Sequence, residues 1–294
     1  MPAYNRAHTI AESIESILAQ TFTDFEVIVV DDGSTDETIS ILGRYPKVRL
    51  LAQENSGPGA ARNLAVKSAN GQFLAFLDSD DLWLPWTLDH FRRVITQENA
   101  VFVSGAGVEF VGEAPKLEEN GSALDYSVHP DYLSAGATGV WIGTCGAAIS
   151  RELFNSVGGF VDKFINAEDS DLWMKLGVAS PFVRINSPAT FLYRRSATSA
   201  TSDISRTVDG ARHLLGSEKQ GIYPGGHDRK RERSLILGKH LRPVCISSIN
   251  HGGFREAAEI YAKSFAINLK TARFKFLFCA PALAVYRYLT QKRM

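Results

Sequence analysis

The chain has 294 residues, 45% of them hydrophobic, and its 32 basic and 32 acidic side chains leave no formal net charge. That size and apolar content suffice for one large α/β domain with an appendage, or for two small domains. The charge balance excludes bulk electrostatic binding to nucleic acid as the function. Three scattered cysteines, Cys145, Cys245 and Cys279, show neither metal nor redox spacing, so a reducing compartment is expected. No signal-peptide pattern is visible from Met1 to Asn5. No stretch reaches the roughly 18 apolar residues of a spanning helix, and neither an internal repeat nor a low-complexity segment is found.

In chain order, Thr9 and Glu12 have capping-box spacing ahead of the apolar stripe Ile10, Ile14, Ile17 and Leu18, which predicts a helix from Thr9. Phe25-Glu26-Val27-Ile28-Val29-Val30 predicts a strand that runs straight into Asp31-Asp32-Gly33-Ser34-Thr35-Asp36. Ser34 and Glu37 repeat the capping-box spacing and predict a helix through about Arg44. Val48 to Leu51 predicts another strand. Asn55-Ser56-Gly57-Pro58-Gly59 is a turn, with Pro58 suited to the first turn of a helix that runs from Ala60 to about Ala69 and stops at Gly71. Phe73 to Leu77 predicts a short buried strand, and Pro85 opens a helix carrying Leu88, Phe91, Val94 and Ile95.

Strands that alternate with helices in this way predict a mostly parallel sheet covered on both faces. Right-handed crossovers put the strand C-termini on one edge, the edge where open α/β sheets bind ligands. Asp31-Asp32 and Asp78-Ser79-Asp80-Asp81 are therefore expected together. Asp78 and Asp80 flank one residue and can aim at one ligand, and hard oxygen donors this close suit Mg2+ or Mn2+ with a diphosphate. The same residues also suit a polar turn, with Asp81 capping the next helix.

The remainder is less regular. Val101 to Val111 predicts a strand, and residues 113–126, centred on Glu118-Glu119-Asn120-Gly121, an acidic surface loop or hairpin. Val140 to Ile149, with small residues around Cys145-Gly146-Ala147, predicts a strand passing close to ligand. Gly158-Gly159-Phe160 is a tight turn. Glu168-Asp169-Ser170-Asp171-Leu172-Trp173 opens a short helix whose first-turn acids suit its dipole. Phe182 to Ile185 and Ala189 to Tyr193 predict two short strands, and the pattern turns helical and more basic after about Ser205.

Six motifs in register now carry a resemblance: Pro2-Ala3-Tyr4-Asn5, Val30 to Asp36, Gly57-Pro58-Gly59-Ala60-Ala61-Arg62-Asn63, Leu77 to Asp81, Gly158-Gly159-Phe160 and Glu168-Asp169. Over about residues 1–200 the chain resembles a family-2 glycosyltransferase. The resemblance implies an α/β GT-A fold over 1–205, to which the sequence pattern adds a helical C-terminal region over 206–294, and a nucleotide-diphosphate sugar, a UDP-sugar by expectation, as donor. It implies that Pro2, Ala3, Tyr4 and Asn5 wall the base, that the Asp32 carboxylate accepts from its imide beside Gly33, and that Arg62 faces base, ribose or diphosphate. It places Asp78, with Ser79, at the ribose and Asp80, together with Asp78, at a Mn2+ or Mg2+ ion that offsets charge on the departing diphosphate. Asp169 is implied as the base that takes the acceptor hydroxyl's proton, with Glu168 as alternate, in a single inverting displacement.

Two departures stand out. The resemblance implies an apolar strand just ahead of Pro2, where Met1 stands. After Arg194 come Arg195 and Ser196 where similar enzymes often place a histidine, which leaves Arg194 as the diphosphate contact in this segment.

In the tail, Phe254, Ala258, Tyr261 and Phe265 recur at helical spacing, and from Lys270 onward there are six Lys/Arg and no Asp/Glu. Mixed with Phe274-Lys275-Phe276-Leu277-Phe278, these fit either a segment lying on an anionic membrane or a packed helix pair. The expected function is sugar transfer to a glycan or lipid-linked acceptor in cell-surface polysaccharide synthesis, in the cytoplasm or peripheral on the inner face of the cell membrane. The alternatives are a catalytically silent nucleotide-sugar-binding module and a nucleotidyltransferase, the latter without a Gly-rich basic loop to support it. A dinucleotide oxidoreductase lacks its G-x-G-x-x-G turn, and the seven histidines show no metal-ligand spacing.

Overall fold

A computed structural model describes residues 1–117, 123–195 and 203–291. The centre of the expected acidic loop, Glu118 to Gly121, and Ser196 lie outside the described residues. In chain order the elements are β1 (Pro2–Ala3), α1 (Ile10–Leu18), β2 (Val27–Asp31), α2 (Thr38–Leu42), β3 (Val48–Ala52), α3 (Pro58–Ser68), β4 (Phe73–Ala75), β5 (Leu82–Trp83) and α4 (Thr87–Glu98). There follow β6 (Phe102–Ser104), β7 (Gly107–Phe110), β8 (Asp125–His129), α5 (Tyr132–Thr138), a 3-10 turn at Thr144–Gly146, β9 (Ala147–Ser150), α6 (Arg151–Ser156), α7 (Glu168–Lys175), β10 (Phe182–Ser187) and β11 (Phe191–Arg194). The last helices are α8 (Ile204–Gln220), α9 (Lys230–Asn250), α10 (Phe254–Lys270) and α11 (Phe274–Gln291).

The chain divides into two compact units. The first comprises Met1–Tyr132, Trp141–Phe164 and Ala179–Ala197; the second comprises Leu133–Val140, Ile165–Val178 and Thr198–Met294. The helical tail expected from residue 206 is thus joined in its unit by α7 and most of α5.

The first unit carries the strands. β1, β2 and β3 pair in parallel, Pro2 opposite Val30 and Val30 opposite Leu51. β2 is buried along its whole length, as a strand covered on both faces must be. Its alternation splits the load: Val27 and Val29 pack with Ile10, Ile14 and Ile17 of α1, while Ile28 and Val30 pack with Ala61 and Ala65 of α3. A second sheet has the order β4-β9-β6-β10-β8 and a third the order β5-β11-β7. These two are mixed, because β9 runs antiparallel to both β4 and β6 while β10 returns parallel to β6. The single strand expected over Val101 to Val111 is instead β6 and β7, in different sheets, broken at Gly105-Ala106.

Both expected capping boxes give way to longer-range bonds. The Thr9 hydroxyl donates to the Ser79 carbonyl at 2.8 Å rather than capping α1. Ser34 Oγ accepts from the Asn5 backbone N–H, and Asp36 accepts from the Thr38 N–H and hydroxyl, so α2 shortens to Thr38–Leu42. The small residues around Cys145 serve packing: a Cβ on Gly143 or Gly146 would come within 3.1 or 2.4 Å of the buried Phe191 ring, so their room is taken by that ring rather than by a ligand.

A cavity of about 610 Å³ lies beside β2, and Met1, Val27, Ile28, Leu74, Phe76 and Trp83 are among the residues that line it. The Met1 amine is buried here, donates to the Ile28 carbonyl at 2.9 Å, and is pushed down to about 5 by burial and then by the charge of Arg62.

The second unit is helical. Val208, Ala211 and Leu214 of α8, Ile236, Leu237 and Leu241 of α9, and Ile260 of α10 are buried. On α10 the packed stripe is Ala257, Ile260, Ser264 and Asn268, not the expected Phe254, Ala258, Tyr261 and Phe265. The buried face is turned by about one residue, and Phe265 and Leu269 are left exposed.

Candidate active site

At the C-terminal end of β1 and β2, the Asp32 N–H donates to the Ala3 carbonyl at 2.8 Å, which sets the two loops side by side. Pro2 and Ala3 are buried in the strand, whereas Tyr4 is 43% exposed and can lie along a flat ligand. Asn5 takes the left-handed conformation (φ 51°). Its Oδ1 accepts from the Thr35 N–H at 2.8 Å, while Asp31 Oδ2 accepts from the Gly33 and Ser34 N–H groups. Gly33 has φ 82° and a Cβ there would stand 3.0 Å from the Asn55 nitrogen, so this turn requires glycine.

Asp32 is buried and heavily bonded. Oδ1 accepts from Gln53 Nε2 at 2.7 Å and from the Ser56 N–H at 2.9 Å; Oδ2 accepts from the Gly57 N–H at 2.8 Å. The carboxylate therefore anchors the turn that opens α3, with little acceptor capacity to spare.

One turn into α3, the Arg62 guanidinium is 4% exposed and pairs with Asp78 Oδ1 at 2.5 Å. Its other face lies 5.2 Å from the centre of the Phe160 ring. Phe160 is held by Asn63, whose Oδ1 accepts from the Phe160 N–H and whose Nδ2 donates to its carbonyl, both at 3.0 Å. The Gly158-Gly159-Phe160 motif thus backs the arginine: a Cβ on Gly159 (φ 67°) would stand 2.8 Å from Asn63 Oδ1.

The acid turn follows β4. Burial works to raise the Asp78 carboxyl, but the charge and hydrogen bond of Arg62 outweigh it and hold the group below the usual carboxylate range. Ser79 is buried and its carbonyl receives Thr9. Asp80 is raised, first by burial and then by the negative charge of Asp78; Arg6 Nε lies 3.5 Å from its Oδ2. Asp81 is fully buried, its Oδ1 accepting from the Arg194 N–H and its Oδ2 from the Cys145 thiol at 2.7 Å. Burial, then the charge of Asp78, pushes the Asp81 carboxyl up to about 8.

Arg194 braces this turn. Nε donates to the Asp80 carbonyl at 2.9 Å, Nη1 to the Gly112 carbonyl at 3.0 Å and Nη2 to Glu12 at 2.5 Å, over the Phe110 ring. A diphosphate would have to exchange for one of these partners.

Asp78, Asp81 and Cys145 bring ligand atoms within 4.8 Å of one another. The thiol is raised well above its ordinary value by burial and the neighbouring acids, so neither it nor Asp81 parts readily with its proton. A protonated sulfur is a poor donor to a hard cation. The partly exposed carboxylates of Asp78 and Asp80 have the right chemistry, and the elevated Asp80 marks negative charge that a divalent ion would relieve.

Glu168 and Asp169 belong to the second unit, in the first turn of α7. Asp169 Oδ1 accepts from the Ser170 N–H at 2.5 Å and from its hydroxyl at 3.1 Å. Ser170 Oγ is in turn 3.3 Å from Nδ1 of His240, which burial and then the charge of Lys239 push down to about 4, so the ring is neutral. Asp171 is fully buried against His213 Nε2 at 3.0 Å, Tyr223 Oη at 2.9 Å and Lys175 Nζ at 2.9 Å, which fixes α7 to α8.

Sequence reading did not find Arg6 or Gln53, nor the bonds of Cys145 to Asp81 and, in the second unit, of His240 to Ser170. Arg6 directly follows the Pro2 to Asn5 motif, which was the available signal; the others are joined to their partners through tertiary contacts only.

The profile of the family described as glycosyl transferase family 2 matches residues 1–157. The chain is 35% identical to chondroitin synthase from Escherichia coli over 63% of its own length and 27% of that protein. It is 33% identical to an Escherichia coli UDP-Glc:alpha-D-GlcNAc-diphosphoundecaprenol beta-1,3-glucosyltransferase over 60% of its length and 67% of that protein. It spans only 27 to 29% of the length of the first curated relatives it matches. Among solved structures, S. aureus TarS 1-349 superposes with a TM-score of 0.63 at 22% identity, over 98% of this chain and 87% of that one, and has also been solved with UDP.

Proposed function

The chain belongs to glycosyl transferase family 2, and from that premise we propose that it transfers a hexosyl or N-acetylhexosaminyl unit, with inversion, from a UDP-sugar to a hydroxyl of a glycan or lipid-linked acceptor in cell-surface polysaccharide synthesis. Its fold is the α/β GT-A fold with C-terminal helices. The observation that carries the proposal is the meeting of Asp78, in the turn after β4, with Arg62 of α3, Asp80 standing two residues on, while the parallel strands β1 and β2 end in the Pro2–Asn5 and Asp32–Gly33 loops. An edge with two partly exposed carboxylates, a buried guanidinium and an exposed aromatic side chain is suited to a base, a ribose and a diphosphate.

In this reading Tyr4 packs on the base, and Pro2, Ala3 and Asn5 shape the wall beneath it. Asp32 holds the Gln53–Gly57 turn against the base and offers its imide the remaining lone pair. Asp78, oriented by Arg62, takes the ribose hydroxyls, with Ser79 behind it. Asp80, with Asp78, would hold Mn2+ or Mg2+, which when bound offsets charge on the departing nucleoside diphosphate. Arg194 keeps the acid turn in shape and is the reserve contact for the diphosphate. Asp169 takes the proton from the acceptor hydroxyl, with Glu168 beside it to orient that hydroxyl. In this reading the acceptor is lipid-linked, of the kind named for the Escherichia coli glucosyltransferase, and the enzyme works in the cytoplasm or peripheral on the inner face of the cell membrane.

The second reading, a silent nucleotide-sugar-binding module, is favoured by the bonds from Ser170 to Asp169, which are those of an acid that satisfies a first-turn donor of its own helix. A screen of donor hydrolysis across nucleotide sugars, with and without Mn2+, separates the two. The enzyme turns over one donor class in a metal-dependent way. Binding by calorimetry without turnover of any donor would select the silent module.

A further inference from the structure

The tail helix α11 turns one face inward and leaves another bare. Leu277 and Ala280 are 7% and 1% exposed, and the Leu277 carbonyl receives the Tyr261 hydroxyl of α10 at 2.7 Å. On its outer side Phe274, Phe278, Pro281, Ala282, Val285 and Leu289 are all exposed. Their spacing is that of one continuous stripe down a helix. Phe278 is 75% exposed, Val285 60% and Leu289 55%. The bare surface extends onto α10, where Phe265 and Leu269 are exposed and Tyr261 contacts the rings of both Phe265 and Phe276. A soluble surface does not ordinarily leave so many large side chains together without a use.

The charge of this segment says what covers the stripe. Lys275 is exposed at its edge, Arg273 just ahead of α11 and Arg287 on the opposite side of the helix, and no Asp or Glu occurs from Lys270 onward. A second copy of the chain would set these cations against their own kind with no carboxylate in the segment to offset them. A sheet of anionic headgroups over an acyl layer satisfies the apolar stripe and the cations at once. No helix among the described residues is long and apolar enough to cross a membrane, so α11 would lie in the plane of the interface.

The geometry points to the outer face of α11, with the end of α10, as a docking surface for an anionic lipid bilayer. This deepens the reading of a lipid-linked acceptor, because the surface holds the chain where such acceptors are. Its test does not use the sugar reaction, so either proposal can fail alone.

The full chain is floated with vesicles of phosphatidylcholine, alone or with about 30% phosphatidylglycerol. Binding to the anionic vesicles only, weakened in about 0.5 M salt, is expected. Lys275→Gln should lower partition roughly five-fold, whereas Arg287→Gln, on the opposite side of α11, should lower it less. Phe278→Ser with Leu289→Ser should abolish it; both side chains face solvent, so circular dichroism and the melting temperature should stay as in the parent. Failure to float with anionic vesicles overturns the proposal, and so does flotation unchanged by the double serine variant. Light scattering that shows a dimer dispersed by Phe278→Ser, without vesicle binding, assigns the face to a second copy instead.

Discussion

The Arg62 guanidinium, nearly sealed from solvent, meets the Asp78 carboxylate at 2.5 Å while Asp78 itself still reaches the surface. The arginine is thus a fixed internal counter-charge, and the aspartate is the part of the pair that a ligand can touch. Arg62→Met leaves the partly exposed Asp78 carboxylate without its partner and is expected to cost about 1 kcal/mol at neutral pH, less than the loss of a fully buried pair would. The native pair depresses the Asp78 carboxyl, so its contribution is present above the ordinary carboxylate value and lost as pH falls through the lower, folded one. Urea unfolding of parent and variant should therefore differ most near neutrality and converge once pH has fallen through the lowered carboxyl value of Asp78. Equal stabilities at neutral pH would remove Arg62 from this role.

Asp80 is raised by burial and by the charge of Asp78, so the unliganded fold gains little from its carboxylate. Asp80→Ala should abolish metal-dependent turnover while leaving the melting temperature unchanged or slightly higher. Donor hydrolysis titrated with Mn2+, beside thermal denaturation with no metal added, measures both. Parent-like activity in this variant would move the ion elsewhere.

Asp169→Asn distinguishes a base from a cap. As the base, its loss should leave donor affinity nearly intact and cut transfer by roughly 10² to 10⁴-fold. As a cap alone, its loss should cost about 1 kcal/mol of stability with turnover of the folded protein preserved. Calorimetry of donor binding run beside the transfer rate reads out which holds.

His240 is held neutral in the second unit, at about 4 instead of the ordinary 6.5. Its folded value lies below its unfolded one, so the unfolded chain binds the extra proton first as pH falls. Stability linked to this ring is complete above about pH 6.5 and is lost progressively toward pH 4, by about 3 kcal/mol in all. His240→Gln, which can still reach Ser170, should flatten that part of the pH–stability curve. A curve identical to the parent's would place the titration elsewhere.

The cavity beside β2 gives the last prediction. An Ile-Val-Ser-Val extension ahead of Met1 should raise the melting temperature, because each apolar side chain that enters the cavity contributes about 2 kcal/mol. A Gly-Ser-Gly-Ser extension makes the same change at the Met1 amine but brings no side chain to bury, and should give a smaller rise. Equal effects would mean that the cavity does not accept a strand.

Local pattern determined much of this protein. The buried run at β2 fixed a covered parallel strand, because only a strand packed on both faces stays apolar at successive positions. The carboxylates after β4 had to emerge at a strand end, because unpaired acids inside a sheet are too costly. Gly33 was tied to a left-handed turn for reasons of backbone sterics alone. Partners distant in the chain were decided elsewhere. Thr9 and Ser34 have capping-box spacing, yet their side chains bond to Ser79 and Asn5, since a long-range partner that closes a buried backbone group outweighs a local cap of about 1 kcal/mol. Nothing near Asp81 in sequence announces Cys145, and nothing near Ser170 announces His240, because each contact joins residues more than sixty positions apart. The inward face of α10 was likewise set by the helices packed against it: one turn-angle of rotation chose Ile260 for the core and left Phe265 outside, a choice the apolar spacing of that helix allowed in either direction.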